Sequence, residues 1–157
     1  MQPILTGKEA NVMSLDGVYQ RDNIFAKIVR GEMPCAKVFE DEQTLAFMDV
    51  FPQAHGHTLV IHKGATARNL MDIEPDQLSA IMTTVQRVTR AVRDALKPDG
   101  VMVAQFNGAA AGQTVYHLHV HVIPRWEGQP LGRHATGGLA DPKELAELAS
   151  LIGAAVK

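Results

Sequence analysis

The stretch that decides the fold is Val115-Tyr116-His117-Leu118-His119-Val120-His121-Val122-Ile123, where histidines alternate with apolar residues. Alternation of this kind is typical of a β-strand, whose successive side chains point to opposite faces of the sheet. The three histidines are therefore predicted to share one face, and the apolar residues between them to face a hydrophobic core. Buried imidazoles without hydrogen-bond partners are costly, so three on one face indicate a functional site.

The rest of the chain predicts the sheet and helices that surround this strand. Apolar and β-branched runs between polar turns predict four further strands, at residues 37–40, 44–50, 57–62 and 101–106. Helical spacing predicts a short helix over 24–30 with Asn23 as its N-cap, a long amphipathic helix over 75–96 and a last helix over 142–156. The predicted fold class is α+β, a five-stranded, largely antiparallel sheet with a long helix and short helices on one face.

Composition and charge restrict the classes of protein to which the chain can belong. With 157 residues, 46% of them hydrophobic, it is long enough for one compact domain. A net charge of −2 gives no basic surface for nonspecific nucleic-acid binding. The single cysteine favours a reducing compartment, and no run reaches the ~18 apolar residues of a membrane span. We expect a soluble, cytoplasmic protein with no nucleic-acid or membrane partner.

Two kinds of chemistry suit a strand with three histidines: metal ligation, and nucleophilic or acid–base work by imidazole. Neighbouring histidines on one face lie ~7 Å apart at Cα, close enough for two of them to share a metal. Further ligands could come from Asp49, His57 and His62. The small-residue loop 107–114 weighs against a metal, because backbone N–H groups in such a loop can approach an anion closely. We therefore expect a phosphate-binding loop beside a histidine nucleophile, with no metal or other cofactor.

This loop and strand together resemble the histidine triad (HIT) family. The match runs from Gly112-Gln113-Thr114 through the three histidines to Arg125, and it extends upstream to residues 23–29, 49–61 and Asn107. It divides the chain into an N-terminal arm (1–21), a HIT-like catalytic domain (22–127) and a C-terminal extension with a helix (128–157). Family members of this size are typically homodimers whose sheets join, so the resemblance also implies a homodimer.

The resemblance implies that the substrate is a purine nucleotide, attacked at its α-phosphate. The positions that match the family's substrate-binding residues are Phe25, Ile28 and Val50 around the base, Asp49 at the ribose, and Asn107, Gly112, Gln113 and Thr114 on the phosphate side.

The resemblance also gives roles to four histidines. His119 matches the nucleophile, His121 a phosphate contact, His57 an additional active-site histidine, and His117 the support of the central imidazole. A neutral imidazole attacks phosphorus without prior deprotonation, which divides one difficult displacement into two. We expect a backbone carbonyl to hold the second nitrogen of the nucleophile. We also expect His57 and His121 to be partly protonated and to balance the phosphate charge.

Departures from the family pattern narrow the choice of activity. Transferase and phosphorylase relatives carry glutamine where this chain has His121, so a hydrolase is favoured. Some relatives hold a structural zinc with a Cys-x-x-Cys pair, where this chain has Asn23 and Ala26, so that zinc site is expected to be absent. Two substrate classes stay open, the nucleoside phosphoramidates of Hint-like members and the dinucleoside polyphosphates of Fhit-like members. The alternative functions are a metal-dependent phosphoesterase and a nucleotide-binding protein without turnover.

Overall fold

Five strands form the centre of the molecule in a computed structural model, which describes residues 15–132 and 138–157. They are β1 (Lys37–Glu40), β2 (Thr44–Met48), β3 (Thr58–His62), β4 (Gly100–Ala104) and β5 (His119–Arg125). They form one sheet in the order β1-β2-β3-β5-β4, and each neighbouring pair is antiparallel. The predicted fold class, α+β with a five-stranded antiparallel sheet, is confirmed.

The helices begin and end close to the predicted positions. They are α1 (Ile24–Val29), α2 (Pro75–Leu96) and α3 (Pro142–Ala154). The side chain of Asn23 accepts the N–H of Ala26 at 2.9 Å, which confirms the predicted N-cap of α1. Lys97, with a left-handed φ of 52°, ends α2. None of the helices in the described ranges combines the length and apolar character that crossing a membrane requires.

Four of the five strands have boundaries that differ from the prediction, among them β3, which begins at Thr58, and β4, which spans Gly100–Ala104. Two of the differences follow from specific hydrogen bonds. The predicted strand 115–123 begins only at His119, because the N–H of Leu118 leaves the sheet and donates to Ala67 O at 2.9 Å. Similarly, β2 stops at Met48, since the Asp49 carboxylate accepts the N–H of Phe51 at 2.8 Å and closes a turn. His117 therefore lies in a bend immediately before β5.

The two faces of the sheet carry different hydrophobic clusters. On one face α2 and α3 pack against even-numbered strand residues, among them Ala46, Met48, Val60, Val120 and Val122. The opposite face carries Leu45, Phe47, Leu59 and Ile61, and there Phe25 of α1 packs. The expectation that all helices lie on one face is wrong for α1, because its apolar stripe covers the odd-numbered side chains. His119 pairs with Ile61, so it lies on the α1 face.

The C-terminal helix shares the main core of the molecule. Leu145, Leu148 and Ile152 of α3 belong to the same cluster as the sheet residues under α2. At Gly153 an added Cβ would lie 2.7 Å from the carbonyl oxygen of Val38, so α3 rests directly on the backbone of β1. Within the described part of the C-terminal extension, α3 is thus packed against the sheet that carries the site.

Candidate active site

A cavity of about 580 Å³ opens on the α1 face of the sheet. Its volume falls within the range of small-molecule sites. The proposed site residues that line it are Phe25, Ile28, Asp49, Val50, Thr114, His119 and His121. Residues from α1, from the end of β2 and from β5 therefore meet around one space, although the chain separates them widely.

His119 is held in one tautomer by the backbone. Its Nδ1 lies 2.7 Å from the carbonyl oxygen of His117. A carbonyl can only accept, so Nδ1 carries the proton and Nε2 carries the lone pair. The ring of Phe25 meets the imidazole edge-on, with 4.9 Å between the ring centroids, and fixes its plane. The expected backbone carbonyl beside His119 Nδ1 is present, and it belongs to His117.

His57 and His121 form a hydrogen-bonded pair in which a backbone N–H donates to the imidazole, the reverse of the bond at His119. The N–H of Gln53 donates to His57 Nδ1 at 3.0 Å, so the proton of His57 lies on Nε2. That nitrogen is 2.8 Å from His121 Nδ1, which accepts, and the proton of His121 therefore lies on its own Nε2. These bonds give the pair two protons and two neutral rings. The bond from Gln53 N–H conflicts with the expected extra proton on His57, because it occupies the ring nitrogen that this proton would need. At His121 the corresponding nitrogen, Nδ1, faces His57 Nε2.

Asp49 joins this pair to form the arrangement closest to a metal site. Single ligand atoms of Asp49, His57 and His121 all lie within 4.8 Å of one another, with 3.4 Å between Asp49 Oδ2 and His57 Nε2. A histidine that binds a metal through Nε2 normally donates its Nδ1–H to an acceptor. His57 Nδ1 instead accepts an N–H from Gln53. These residues therefore fit a hydrogen-bonded pair beside a carboxylate better than they fit a metal.

His117 lies behind His119 and does not line the cavity. Its Nε2 donates to the carbonyl oxygen of His62 at 3.1 Å, and its Nδ1 accepts from the hydroxyl of Tyr19 at 2.6 Å. Burial lowers the pKa of His117 from 6.5 to about 4, because the site disfavours the charged ring. His117 is therefore neutral near pH 7, and its carbonyl oxygen accepts the Nδ1–H of His119.

The loop before β5 is organised from inside by Gln113. Its side-chain oxygen accepts the N–H of Gly108 at 2.8 Å, and its nitrogen donates to the carbonyls of Arg68 at 2.7 Å and Val115 at 3.1 Å. Both ends of the Gln113 carboxamide are therefore hydrogen-bonded to the backbone, and these bonds fix the conformation of the loop. With a φ of +100°, Gly112 turns the chain in the left-handed region.

Asn107 is also used within the protein, where its side-chain oxygen accepts from Leu70 N at 3.0 Å and from Gln105 Nε2 at 2.9 Å. Of the four proposed phosphate-side residues, only Thr114 lines the cavity. Asn107, Gly112 and Gln113 lie behind it in the loop framework. The side chains of Asn107 and Gln113 therefore stabilise the loop from within and do not line the cavity.

Sequence reasoning missed much of the apolar wall. The additional lining residues are Ile24, Met33, Pro34, Cys35, Phe47, Met48, Phe51, Leu59, Val115 and Leu139. Several of them are large hydrophobic residues left exposed at the mouth, namely Ile24, Met33, Phe51 and Leu139. The stripe of α1 could have identified Ile24. Leu139 had no such signal, because its position depends on the bond from Ala140 N to Val50 O at 3.0 Å.

Tyr19 was also missed, since residues 1–21 show no sustained period and no pattern ties them to the triad. The remaining histidines lie away from this cavity or outside the described residues. His62 Nδ1 accepts the N–H groups of Gly64 and Ala65 at 3.0 and 2.9 Å, which is a structural role. His134 lies outside the described residues.

The sequence of this chain is similar to those of known proteins. The family model described as "HIT domain" matches residues 30–128. The adenylylsulfatase HINT3 of Arabidopsis thaliana is 37% identical over 139 residues, which cover 85% of this chain and 68% of that protein. The adenosine 5′-monophosphoramidase hnt1 of Schizosaccharomyces pombe is 36% identical over 135 residues, which cover 85% of this chain and 98% of that protein.

Solved structures show the same similarity in three dimensions. A Hit-like protein involved in cell-cycle regulation from Bartonella henselae has 46% identity and a TM-score of 0.84, covering 89% of this chain and 100% of that one. A zinc-bound histidine triad protein from Mycobacterium smegmatis has 38% identity and a TM-score of 0.74, covering 85% of this chain and 92% of that one. Both similarities extend well beyond the histidine strand.

Proposed function

Because this chain belongs to the HIT family, we propose that it attacks the α-phosphate of a purine nucleotide with His119 and forms a covalent nucleotidyl-histidine. Relatives that are named as an adenylylsulfatase and as an adenosine monophosphoramidase support a nucleotide hydrolase in general. The observation that carries the proposal is the 2.7 Å bond from His119 Nδ1 to the carbonyl of His117. That bond puts the lone pair on Nε2, the nitrogen that attacks.

The proposed reaction has two displacements at phosphorus. In the first, the Nε2 lone pair of His119 forms the N–P bond, and the bond from phosphorus to the leaving group breaks. The leaving group departs with that electron pair and takes a proton from water. In the second, water attacks phosphorus, the P–N bond breaks, and the electron pair returns to His119. The water loses its proton to solvent, so the sum is hydrolysis to a nucleoside monophosphate.

Two features of the surroundings support both displacements. The nucleotidyl-imidazole is cationic, and its Nδ1–H keeps donating to the His117 carbonyl, which stabilises the charge. The His57–His121 pair provides a neutral donor, because the proton of His121 lies on Nε2. A neutral donor stabilises charge that develops on the phosphate oxygens without changing its own protonation.

The apolar wall supports a planar base as the part of the substrate that binds in the cavity. Phe25, Ile28 and Val50 present apolar surface there, and Asp49 lies at its polar end. Within the two open substrate classes we favour the nucleoside phosphoramidates, since one relative is named for an adenosine 5′-monophosphoramidate. Adenylyl sulfate is a further candidate from the name of the plant relative.

We also propose a homodimer that joins at the free edge of β4, in the cytoplasm. β4 is the last strand of the sheet. Beside it Leu70, Met82 and Val103 are exposed and share a groove. An edge strand flanked by apolar surface favours pairing with a second copy. A monomeric mass by sedimentation equilibrium at micromolar concentration would overturn this proposal.

The experiment that tests the function is rapid-quench mass spectrometry of wild type and His119→Ala, with and without EDTA. The substrates are adenosine 5′-phosphoramidate, adenylyl sulfate and a diadenosine polyphosphate. We expect a nucleotidyl adduct and release of AMP in wild type, both resistant to EDTA. Turnover should fall by roughly 10⁴-fold or more in the variant, since the covalent route is lost.

His55→Ala is the matched control, because His55 is exposed and pairs only loosely with Glu144 at 3.5 Å; it should keep wild-type turnover. Activity that disappears with EDTA would favour the metal-dependent phosphoesterase. Nucleotide binding that protects against unfolding but yields no product would favour the nucleotide-binding protein.

A further inference from the structure

The described part of the N-terminal arm, from Leu15 onward, is docked behind the active site. Asn69 Nδ2 donates to the carbonyl of Leu15 at 2.8 Å, and the buried guanidinium of Arg68 donates to the carbonyl of Val18 at 3.4 Å. The side chain of Leu15 covers Gly108, where an added Cβ would lie 3.1 Å from Leu15 Cδ2. On the N-terminal side of Tyr19, the arm therefore contacts both Arg68-Asn69 and the loop 107–114.

Tyr19 reaches from this arm to the first histidine of the triad. Its hydroxyl oxygen is 2.6 Å from His117 Nδ1, and the two ring centroids are 5.7 Å apart. His117 Nε2 faces the carbonyl of His62 at 3.1 Å and must carry the proton, because a carbonyl only accepts. His117 Nδ1 therefore accepts, and the Tyr19 hydroxyl is the donor. Both nitrogens of this ring are held.

The backbone at His117 depends on this support, because it lies outside the sheet. β5 begins at His119, so no ladder bond fixes the carbonyl of His117. The peptide group between His117 and Leu118 is held at one end by the bond from Leu118 N to Ala67 O. At the other end it is held through the ring of His117. Its oxygen is the acceptor for His119 Nδ1 at 2.7 Å.

We propose that Tyr19 is a positioning residue for the nucleophile: its hydroxyl clamps the ring of His117, and the carbonyl of His117 then keeps the proton of His119 on Nδ1. The inference rests on the proposed function for its effect on turnover, whereas the effect on the imidazoles stands without it. Without the hydroxyl, a buried acceptor at Nδ1 loses its donor, and water or a proton takes its place. The described part of the arm, from Leu15 onward, thus contributes to the site through Tyr19.

The test compares wild type, Tyr19→Phe and a matched control, Val18→Ala. Phenylalanine keeps the ring and removes only the hydroxyl. Val18 is next to Tyr19 in the same arm, but its side chain is 71% exposed and its carbonyl is kept. Long-range ¹H–¹⁵N spectra of the imidazoles report the tautomer of His119 and the titration of His117, and steady-state kinetics give kcat and KM.

In wild type and Val18→Ala, His117 should titrate only near its lowered pKa of about 4, and His119 should show the Nδ1–H form alone. In Tyr19→Phe, His117 should titrate at higher pH and His119 should gain a fraction of the Nε2–H form. We expect kcat to fall about five- to tenfold with KM unchanged, the usual size for one neutral hydrogen bond. The charged or titratable groups that face His117 are Tyr19, His62 and His119.

The inference is overturned if Tyr19→Phe keeps the wild-type imidazole spectra, whether or not its melting temperature falls, because a purely structural role would change stability alone. The spectra also separate this inference from the proposed function. If wild type turns over none of the nucleotides while Tyr19→Phe still shifts the His119 tautomer, the positioning role stands and the hydrolase proposal fails.

Discussion

Two short chains of hydrogen bonds in this site are both built from histidine side chains, but they run in opposite donor-to-acceptor directions relative to the backbone. In the first, His119 Nδ1 donates to a backbone carbonyl, so the lone pair lies on Nε2. In the second, His57 Nδ1 accepts from a backbone N–H, so His57 carries its proton on Nε2 and donates this N–H to His121 Nδ1. The proton of His121 therefore lies on its own Nε2. His119 and His121 are two residues apart on one strand and both line the cavity. The lone pair on His119 Nε2 suits the proposed nucleophile, and the N–H on His121 Nε2 suits the proposed donor.

The difference teaches that the backbone can assign chemical roles to identical side chains. Both chains are buried, so desolvation alone does not distinguish them. What differs is whether the chain of bonds terminates on a carbonyl or begins at an amide N–H. Backbone dipoles are fixed by the fold and do not titrate near neutral pH. The proposed assignment of nucleophile and donor should therefore be insensitive to modest changes of pH, unlike one based on a charged partner.

After the loss of His119 itself, the largest expected effect comes from breaking the hydrogen bond between His57 and His121. His57→Gln and His121→Gln should each lower kcat/KM by roughly 10²–10³-fold, the usual loss for one donor that stabilises developing phosphate charge. Because both residues act through one bond, the double variant should be no worse than the more damaging single variant. The measurement is a double-mutant cycle on steady-state kinetics.

His55→Gln serves as the control for that cycle, since it changes an exposed histidine and should leave kcat/KM unchanged. Strictly additive losses for His57 and His121 would contradict a single chain, and the contrast with His119 would then have no structural basis.

A smaller effect concerns the stability of the nucleophile chain at low pH. The pKa of His117 is about 4 in the folded protein against 6.5 ordinarily. Between these values the unfolded chain binds a proton that the folded chain does not, so stability falls as pH drops from 6.5 towards 4. Above 6.5 both states are neutral, and His117 adds no pH dependence. The shift corresponds to about 3 kcal/mol of unfolding free energy at the acid end.

Urea unfolding at pH 7 and pH 4.5 measures this loss, and His117→Gln is the variant that sharpens it. The variant should lose less stability on acidification than wild type does. A residual slope is expected from His62, whose pKa is also lowered by burial. An acid slope that is the same in both proteins would mean that His117 is not held neutral, and the two chains would no longer differ as described.

Local sequence patterns predicted the helices and strands. Long-range contacts determined which face of the sheet α1 covers and where β5 begins, and these could not be predicted. The stripe over 75–96 and its flanking signals placed α2 correctly, because helix period and caps are local properties. The stripe of α1 predicted a helix but not the face of the sheet that it covers. Alternation in 115–123 predicted a strand, yet β5 starts later, since Leu118 N bonds to Ala67 O far away in sequence.

The candidate site divides in the same way. The motif and its spacing singled out His119, which lines the cavity. The carbonyl beside it was expected only as a nearby backbone group, and the structure shows that it belongs to His117. The motif could not show that the Gln113 side chain forms its hydrogen bonds within the protein, because one of them depends on the position of the Arg68 carbonyl oxygen. Nor could any local pattern place Tyr19 against His117, as 98 positions of sequence separate them. Residues recognised by type were found, and residues defined only by contact were missed.

Cys35 has a practical consequence for anyone who works with this protein. It is the only cysteine of the chain, and it lines the cavity. A thiol-directed fluorophore therefore labels one defined position, on the wall where the base is proposed to bind. Burial raises the pKa of the thiol, so labelling is slow at neutral pH and faster in alkaline buffer. The natural sequence thus carries its own single-site reporter of pocket occupancy.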